Sequence, residues 1–172
     1  GVVNGGIAPA WIIDASANSF VGYNPGNSTF GTDTGFQTLF STGAPTAGTL
    51  EYSHRITVGT LGSFTSDGVS SEFTGGTAVV DVVSGAGAQT LTGNPSLYAL
   101  RTFHSLNAGT SARTLTISGG GLIFATTSTA ILGDTSVTGP QASVPAMTVN
   151  FGSEAFVYSA SGITGTINAQ LA

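Results

Sequence analysis

Leu115-Thr116-Ile117-Ser118-Gly119-Gly120-Gly121-Leu122-Ile123-Phe124 is followed, about 32 positions later, by Met147-Thr148-Val149-Asn150-Phe151-Gly152-Ser153-Glu154-Ala155-Phe156. The same offset carries Ile131-Leu132-Gly133 onto Ile163-Thr164-Gly165. Most apolar residues fall on apolar residues, and Gly120 and Gly133 fall on Gly152 and Gly165. A repeat of this length, rich in Thr, Ser, Gly and β-branched residues, predicts strands stacked turn upon turn. A constant offset across three strands is what stacked coils of equal path length require. The expected fold is therefore all-β, a β-solenoid. Strands separated by tight turns would also suit an antiparallel β-sandwich, which is the alternative.

Working outward, the rest of the chain is strand-like too. Among 172 residues there are 26 Gly, three Glu and no Lys, so no segment carries the strong helix formers a surface helix needs. Regular strands are expected at Arg55-Ile56-Thr57-Val58, at Ala78-Val79-Val80-Asp81-Val82-Val83 and at Leu97-Tyr98-Ala99-Leu100-Arg101-Thr102-Phe103. A last one is expected at Gly165-Thr166-Ile167-Asn168-Ala169-Gln170-Leu171. Residues 1–53 read as less regular. They hold an apolar run from Ile7 to Ile13 with Trp11 as an anchor, then a Gly, Asn, Thr and Pro rich stretch spaced by Tyr23, Phe30, Phe36, Leu39 and Phe40. Those aromatics make it too apolar for a disordered linker. The organisation is one domain over residues 1–172, with an irregular part at 1–53, regular coils at 54–172 and repeat units near 115–133 and 147–165. The ten Phe and four Tyr are expected to form its core in stacked ladders.

Charge narrows the function. Charged residues make up 6% of the chain, against about 25% in an ordinary soluble domain. The basic residues are Arg55, Arg101 and Arg113, too few to neutralise a run of phosphates, so nucleic-acid binding is excluded. A net charge of −5 argues against anionic membrane surfaces. A nearly uncharged surface also lowers the repulsion between copies. There is no cysteine, hence neither disulfide nor thiolate metal site. No apolar run reaches the roughly 18 to 20 residues of a membrane helix. Gly1 begins without a basic segment and an apolar core behind it, which reads as a processed or internal start.

Three stretches, in order, carry a resemblance. Ser96-Leu97-Tyr98-Ala99-Leu100-Arg101, a polar spacer, and Leu115-Thr116-Ile117-Ser118-Gly119-Gly120-Gly121-Leu122 resemble the autotransporter-associated β-strand repeat of large bacterial surface proteins. Upstream, Gly5-Gly6-Ile7-Ala8-Pro9-Ala10-Trp11, and then Asp14 through Ser19-Phe20-Val21-Gly22-Tyr23, are similar to two elements that often precede the repeat in that family. Two departures stand out: Tyr98-Ala99 separates Leu97 from Arg101, and Ala10 separates Pro9 from Trp11. The membrane barrel of that family has no counterpart in these 172 residues. The resemblance implies a right-handed parallel β-helix, exported and displayed outside the cell, and it implies no catalytic residues.

A β-helix can nevertheless bind or cleave polysaccharide. Hydrolysis needs two carboxylates about 5 to 10 Å apart. The acids are Asp14, Asp33, Glu51, Asp67, Glu72, Asp81, Asp134 and Glu154; only Asp67 and Glu72 lie close in sequence, flanking what reads as a turn. Convergence of three of Asp67, Glu72, Asp81, Asp134 and Glu154 with Arg101 or Arg113 would favour an enzyme. Glu51-Tyr52-Ser53-His54-Arg55 is the densest polar group and reads as a strand-entry turn with a Glu51–Arg55 contact. His104 and Ser105 are neighbours that a strand would point to opposite faces, a poor base and nucleophile. The two His lack metal-ligand spacing. Gly119-Gly120-Gly121 lacks the helix and Lys of a phosphate loop, and reads as a coil corner needing positive φ.

The expected function is that of a structural, extracellular β-solenoid at the bacterial cell surface, either a stalk or passenger or the subunit of a filament. No catalytic, cofactor-binding or metal residue is assigned, and no cofactor is called for. Expected partners are further copies or a continuation of the chain, joined through strand edges at Gly1 to Ile13 and Ile163 to Leu171, with surface polysaccharide as a possible ligand. A carbohydrate-binding or polysaccharide-degrading β-helix module is the alternative.

Overall fold

The computed structural model describes residues 9–10, 12–25, 34–39, 54–56, 76, 78–84, 86–125, 129–133 and 147–172. Among them every regular element is a strand. The first three, β1 (Ile13–Asp14), β2 (Ser19–Pro25) and β3 (Thr34–Thr38), pair antiparallel in the order β1-β2-β3. The part of the chain expected to be irregular therefore contains a strand meander. Its sequence hides this because Gly22, Asn24 and Pro25 weaken the strand pattern of β2.

All pairing in the remainder is parallel. One sheet runs β4 (His54–Ile56), β5 (Val79–Val82), β7 (Ser96–Thr102), β9 (Arg113–Phe124), β11 (Met147–Asn150) and β14 (Gln170–Leu171), with β12 (Phe156–Ser159) beside the second half of β9. The other runs β6 (Gln89–Thr90), β8 (Leu106–Asn107), β10 (Thr129–Leu132) and β13 (Thr164–Ile167). From β5 to β11 the chain alternates between the two sheets, one strand in each per circuit. Parallel neighbours need a crossover of a dozen or so residues, and here the strand of the opposite sheet lies within that crossover. The antiparallel sandwich is thereby set aside for these two sheets.

The alternation of side chains fixes what each face buries. Val80, Val82, Leu100, Leu122 and Phe124 point between the two parallel sheets, where they meet Leu106, Ala130 and Leu132 of the second sheet. Their alternates Val79, Ala99 and Ile123 point outward and are covered by Ala10, Phe20 and Leu39 from the N-terminal meander. The first parallel sheet is thus buried on both faces, which explains the unbroken burial of Val79–Val82. Leu97, Leu100, Leu106, Leu115, Ile117, Leu122, Ile123 and Leu132 are fully buried beside Phe20 and Phe124. Among the described residues the interior is aliphatic rather than the aromatic ladder expected.

Register corrects the repeat. Val149 lies beside Leu115 and Phe156 beside Gly121, so the two units stack at offsets of 34 and 35, not 32. The shift of two in the first half keeps every side chain on its face, which is why the sequence tolerates either alignment. Nor is the offset constant: Val79 pairs with Ala99 at 20 and Thr148 with Gln170 at 22. The longer circuit contains residues 126–128 and 134–146, outside the described residues.

The Gly run is not a corner either. It lies within β9, at an irregularity where Tyr98 stands opposite Ser118–Gly120 and the offset between β7 and β9 changes from 20 to 22. A Cβ on Gly119 would lie 2.6 Å from the Tyr98 ring, and one on Gly121 would lie 2.5 Å from Ala10 Cβ. Only Gly120 has positive φ, at 75°. Corners that do use a left-handed Gly are Asn107-Ala108-Gly109 and Asn150-Phe151-Gly152. In each, the Asn Oδ1 accepts a hydrogen bond from the Gly N–H, at 2.9 and 2.8 Å, and the Gly has φ of 65° and 71°.

Candidate functional site

The feature with the clearest capacity to act on another molecule is the last circuit. Interior residues at equal register form columns through the stack. Val80, Leu100, Leu122 and Val157 make one; the first three are 0% exposed and Val157 is 49% exposed. Leu115, Val149 and Leu171 make a second, with exposures of 0%, 0% and 60%. In the second sheet, Gln89, Leu106 and Leu132 are buried, and Ile167 beyond them is half-buried. All three columns run into open solvent at the same end. There β12, β13 and β14 each have one strand neighbour among the described residues.

The backbone of such an edge offers unpaired N–H and C=O groups to an incoming strand. Proteins usually guard it with Lys, Pro or inward charges. Residues 147–172 contain no Lys, Arg or Pro, and Glu154 is their one charged side chain. Glu154 is exposed and lies between β11 and β12, off the strands. Chemically, this end can extend two parallel sheets and cover Val157 and Leu171.

The polar candidates distribute elsewhere. Asp81 and Arg101 are register partners on β5 and β7. The guanidinium of Arg101 donates from Nε to Asp81 Oδ1 at 2.8 Å and from Nη2 to Oδ2 at 3.2 Å, and it lies 5.1 Å from the Phe103 ring centroid. Asp81 is wholly buried and the Arg101 side chain is 12% exposed, so this pair is tied into the outer face of the sheet rather than open to a ligand. Arg55 holds the neighbouring register position to Asp81 on β4. This cluster was missed in the sequence, although aligning Val79-Val80-Asp81-Val82 with Ala99-Leu100-Arg101-Thr102 brings the opposite charges together.

Glu154 and Arg113 do not join them: Arg113 opens β9 at the level of Met147, and its Nε is buried without a hydrogen-bond partner among the described residues. Asp33, Glu51, Asp67, Glu72 and Asp134 lie outside the described residues, as do Trp11 and the Glu51–Arg55 contact. Of the five acids whose convergence would favour an enzyme, the described residues hold only Asp81 and Glu154. His104 Nε2 is 2.7 Å from Ser84 O, while Ser105 Oγ accepts from the Ile131 N–H at 3.0 Å, so each is occupied in joining one circuit to the next. Among the described residues no three His, Asp or Glu side chains gather as metal ligands.

Asp14 closes the β1–β2 turn. Its Oδ1 accepts from Ser16 N–H at 2.9 Å, Ser16 Oγ at 2.6 Å and Ala17 N–H at 3.3 Å, and its Oδ2 accepts from Thr38 Oγ1 at 2.5 Å. The Ser16 and Thr38 hydroxyls hold its carboxyl down to about 2. Burial pushes the Tyr98 phenol above its ordinary value. Comparison of the chain with protein-family models, with curated proteins and with solved structures finds no match.

Proposed function

We propose that this chain is a structural β-solenoid, a right-handed parallel β-helix in which each circuit contributes one strand to each sheet. Its work is to extend a stack. The observation that carries this reading is the set of apolar columns ending uncovered at Val157, Leu171 and Ile167 on an edge without Lys, Arg or Pro. The occupants that fit are a second copy of the chain or a further circuit of a longer one, joined through main-chain bonds along the open edge. The low charge of this end supports the second copy, since like copies meet there with Glu154 as the one charged side chain on that segment. The chain then serves as a filament subunit or stalk element. The resemblance of residues 5–23 and 96–124 to the autotransporter-associated repeat supports an extracellular place at a bacterial surface.

Sedimentation velocity and electron microscopy at neutral pH test this reading. Species that lengthen with concentration are expected, and Val157→Lys, which places a charge on the edge, is expected to arrest them. A parent chain that stays monomeric across the whole concentration range overturns the filament reading.

A further inference from the structure

The N-terminal meander does more than cover a sheet face. Its body rests on Val79, Ala99 and Ile123, on three successive strands β5, β7 and β9. Its β1–β2 turn reaches one strand further, to the terminal circuit. Tyr158, on β12, donates from its hydroxyl to Asn18 Oδ1 at 3.1 Å and lies 3.5 Å from Ala15 O. The two partners are 140 positions apart in sequence.

Both sides of this contact are prepared. Asn18 has φ of 49°, the left-handed region that Asn tolerates better than most residues. The four hydrogen bonds accepted by Asp14 hold the turn and join it to Thr38 on β3. Tyr158 is the register partner of Ile123 and half-buried against the cluster that includes Phe20. Strand β12 itself is short and has one neighbour, β9. Short terminal strands with one neighbour open at low free energy.

We propose that the turn from Asp14 to Ser19 is a clasp that holds the terminal circuit closed through Tyr158. It keeps β12 and the strands after it ordered, so that the open edge presents one geometry to an incoming strand. The clasp itself is a property of the single chain; its effect on assembly rests on the filament reading above.

Hydrogen exchange by mass spectrometry on the full chain, at a concentration where the parent is monomeric, tests it. Tyr158→Phe removes only the hydroxyl. Asn18→Gly removes the acceptor and keeps the φ of 49° accessible. Each is expected to speed exchange in peptides from 156–171 by about 2- to 10-fold, the range set by one net hydrogen bond, with 96–102 and 113–118 unchanged. The double variant is expected to match either single one. Parent-like exchange in either single variant, additive effects, or an equal rise across all peptides overturns the clasp. If exchange rises as expected but assembly at higher concentration is identical in parent and variants, the clasp stands and its link to assembly falls.

Discussion

The middle and last circuits of the stack are built from the same pattern and live in different surroundings. Leu122 and Val157 occupy one column, yet Leu122 has a strand on each side and is wholly buried, while Val157 is half in water. Outside the sheet, Ile123 is wholly buried in the cluster with the meander, and its register partner Tyr158 is half-buried beside that cluster and bonded to the tip. The lesson is that in a stack of parallel strands, position along the axis decides what a residue contributes. An apolar side chain of one column is sealed in the middle and stands half in water at the end.

Substitutions should expose that gradient, measured by urea unfolding. The largest effect is expected at Asp81→Ala, which takes the two-pronged carboxylate away from Arg101 in a nearly dry site and should cost about 3–5 kcal/mol. Leu122→Ala should follow at about 2–5 kcal/mol, through lost burial and the cavity left between the sheets. Val157→Ala, in the same column at the open end, should cost less than about 1 kcal/mol because half of the side chain is already solvated. Equal costs at Leu122 and Val157 would show that the last circuit is covered in solution.

The smallest effect concerns acid. The Asp14 carboxyl, held at about 2 by the Ser16 and Thr38 hydroxyls, lies below its unfolded value near 3.8. Its contribution is fully present above about pH 4 to 5 and declines as pH falls toward 2. The carboxylate is well solvated, so this amounts to less than about 1 kcal/mol. Asp14→Asn should flatten the stability profile between pH 4 and 2 and should leave the slope above pH 5 unchanged.

Much of this was legible in the residues. Short β-branched runs closed by Gly and Asn, and the absence of helix formers, point to an all-β chain with strands at 78–83 and 97–103 and in the unit at 115–124, and β5, β7 and β9 stand there to within two residues. The second unit is legible but lies two residues out of register in its first half, where a shift of two leaves the inward face unchanged, and three out in its second half. The meander at 13–38 was hidden by residues with weak strand preference. The Gly run was located and its reason missed: the sequence holds no sign that Ala10 and Tyr98, distant in the chain, press against it. The Asp81–Arg101 pair had a signal in the 20-residue spacing. The Tyr158–Asn18 contact had none, since Asn18 lies outside both repeat units.

By itself, then, the amino-acid sequence determined the strand character, the inward and outward alternation and a surface poor in charge. The tertiary structure alone decided which strands are neighbours and in which direction they run. It also decided which columns end in solvent. The physical reason is that a period of two assigns a side chain to a face and is silent about its neighbours. Partners follow from path length and from packing across the chain, where residues 140 positions apart come within hydrogen-bonding distance.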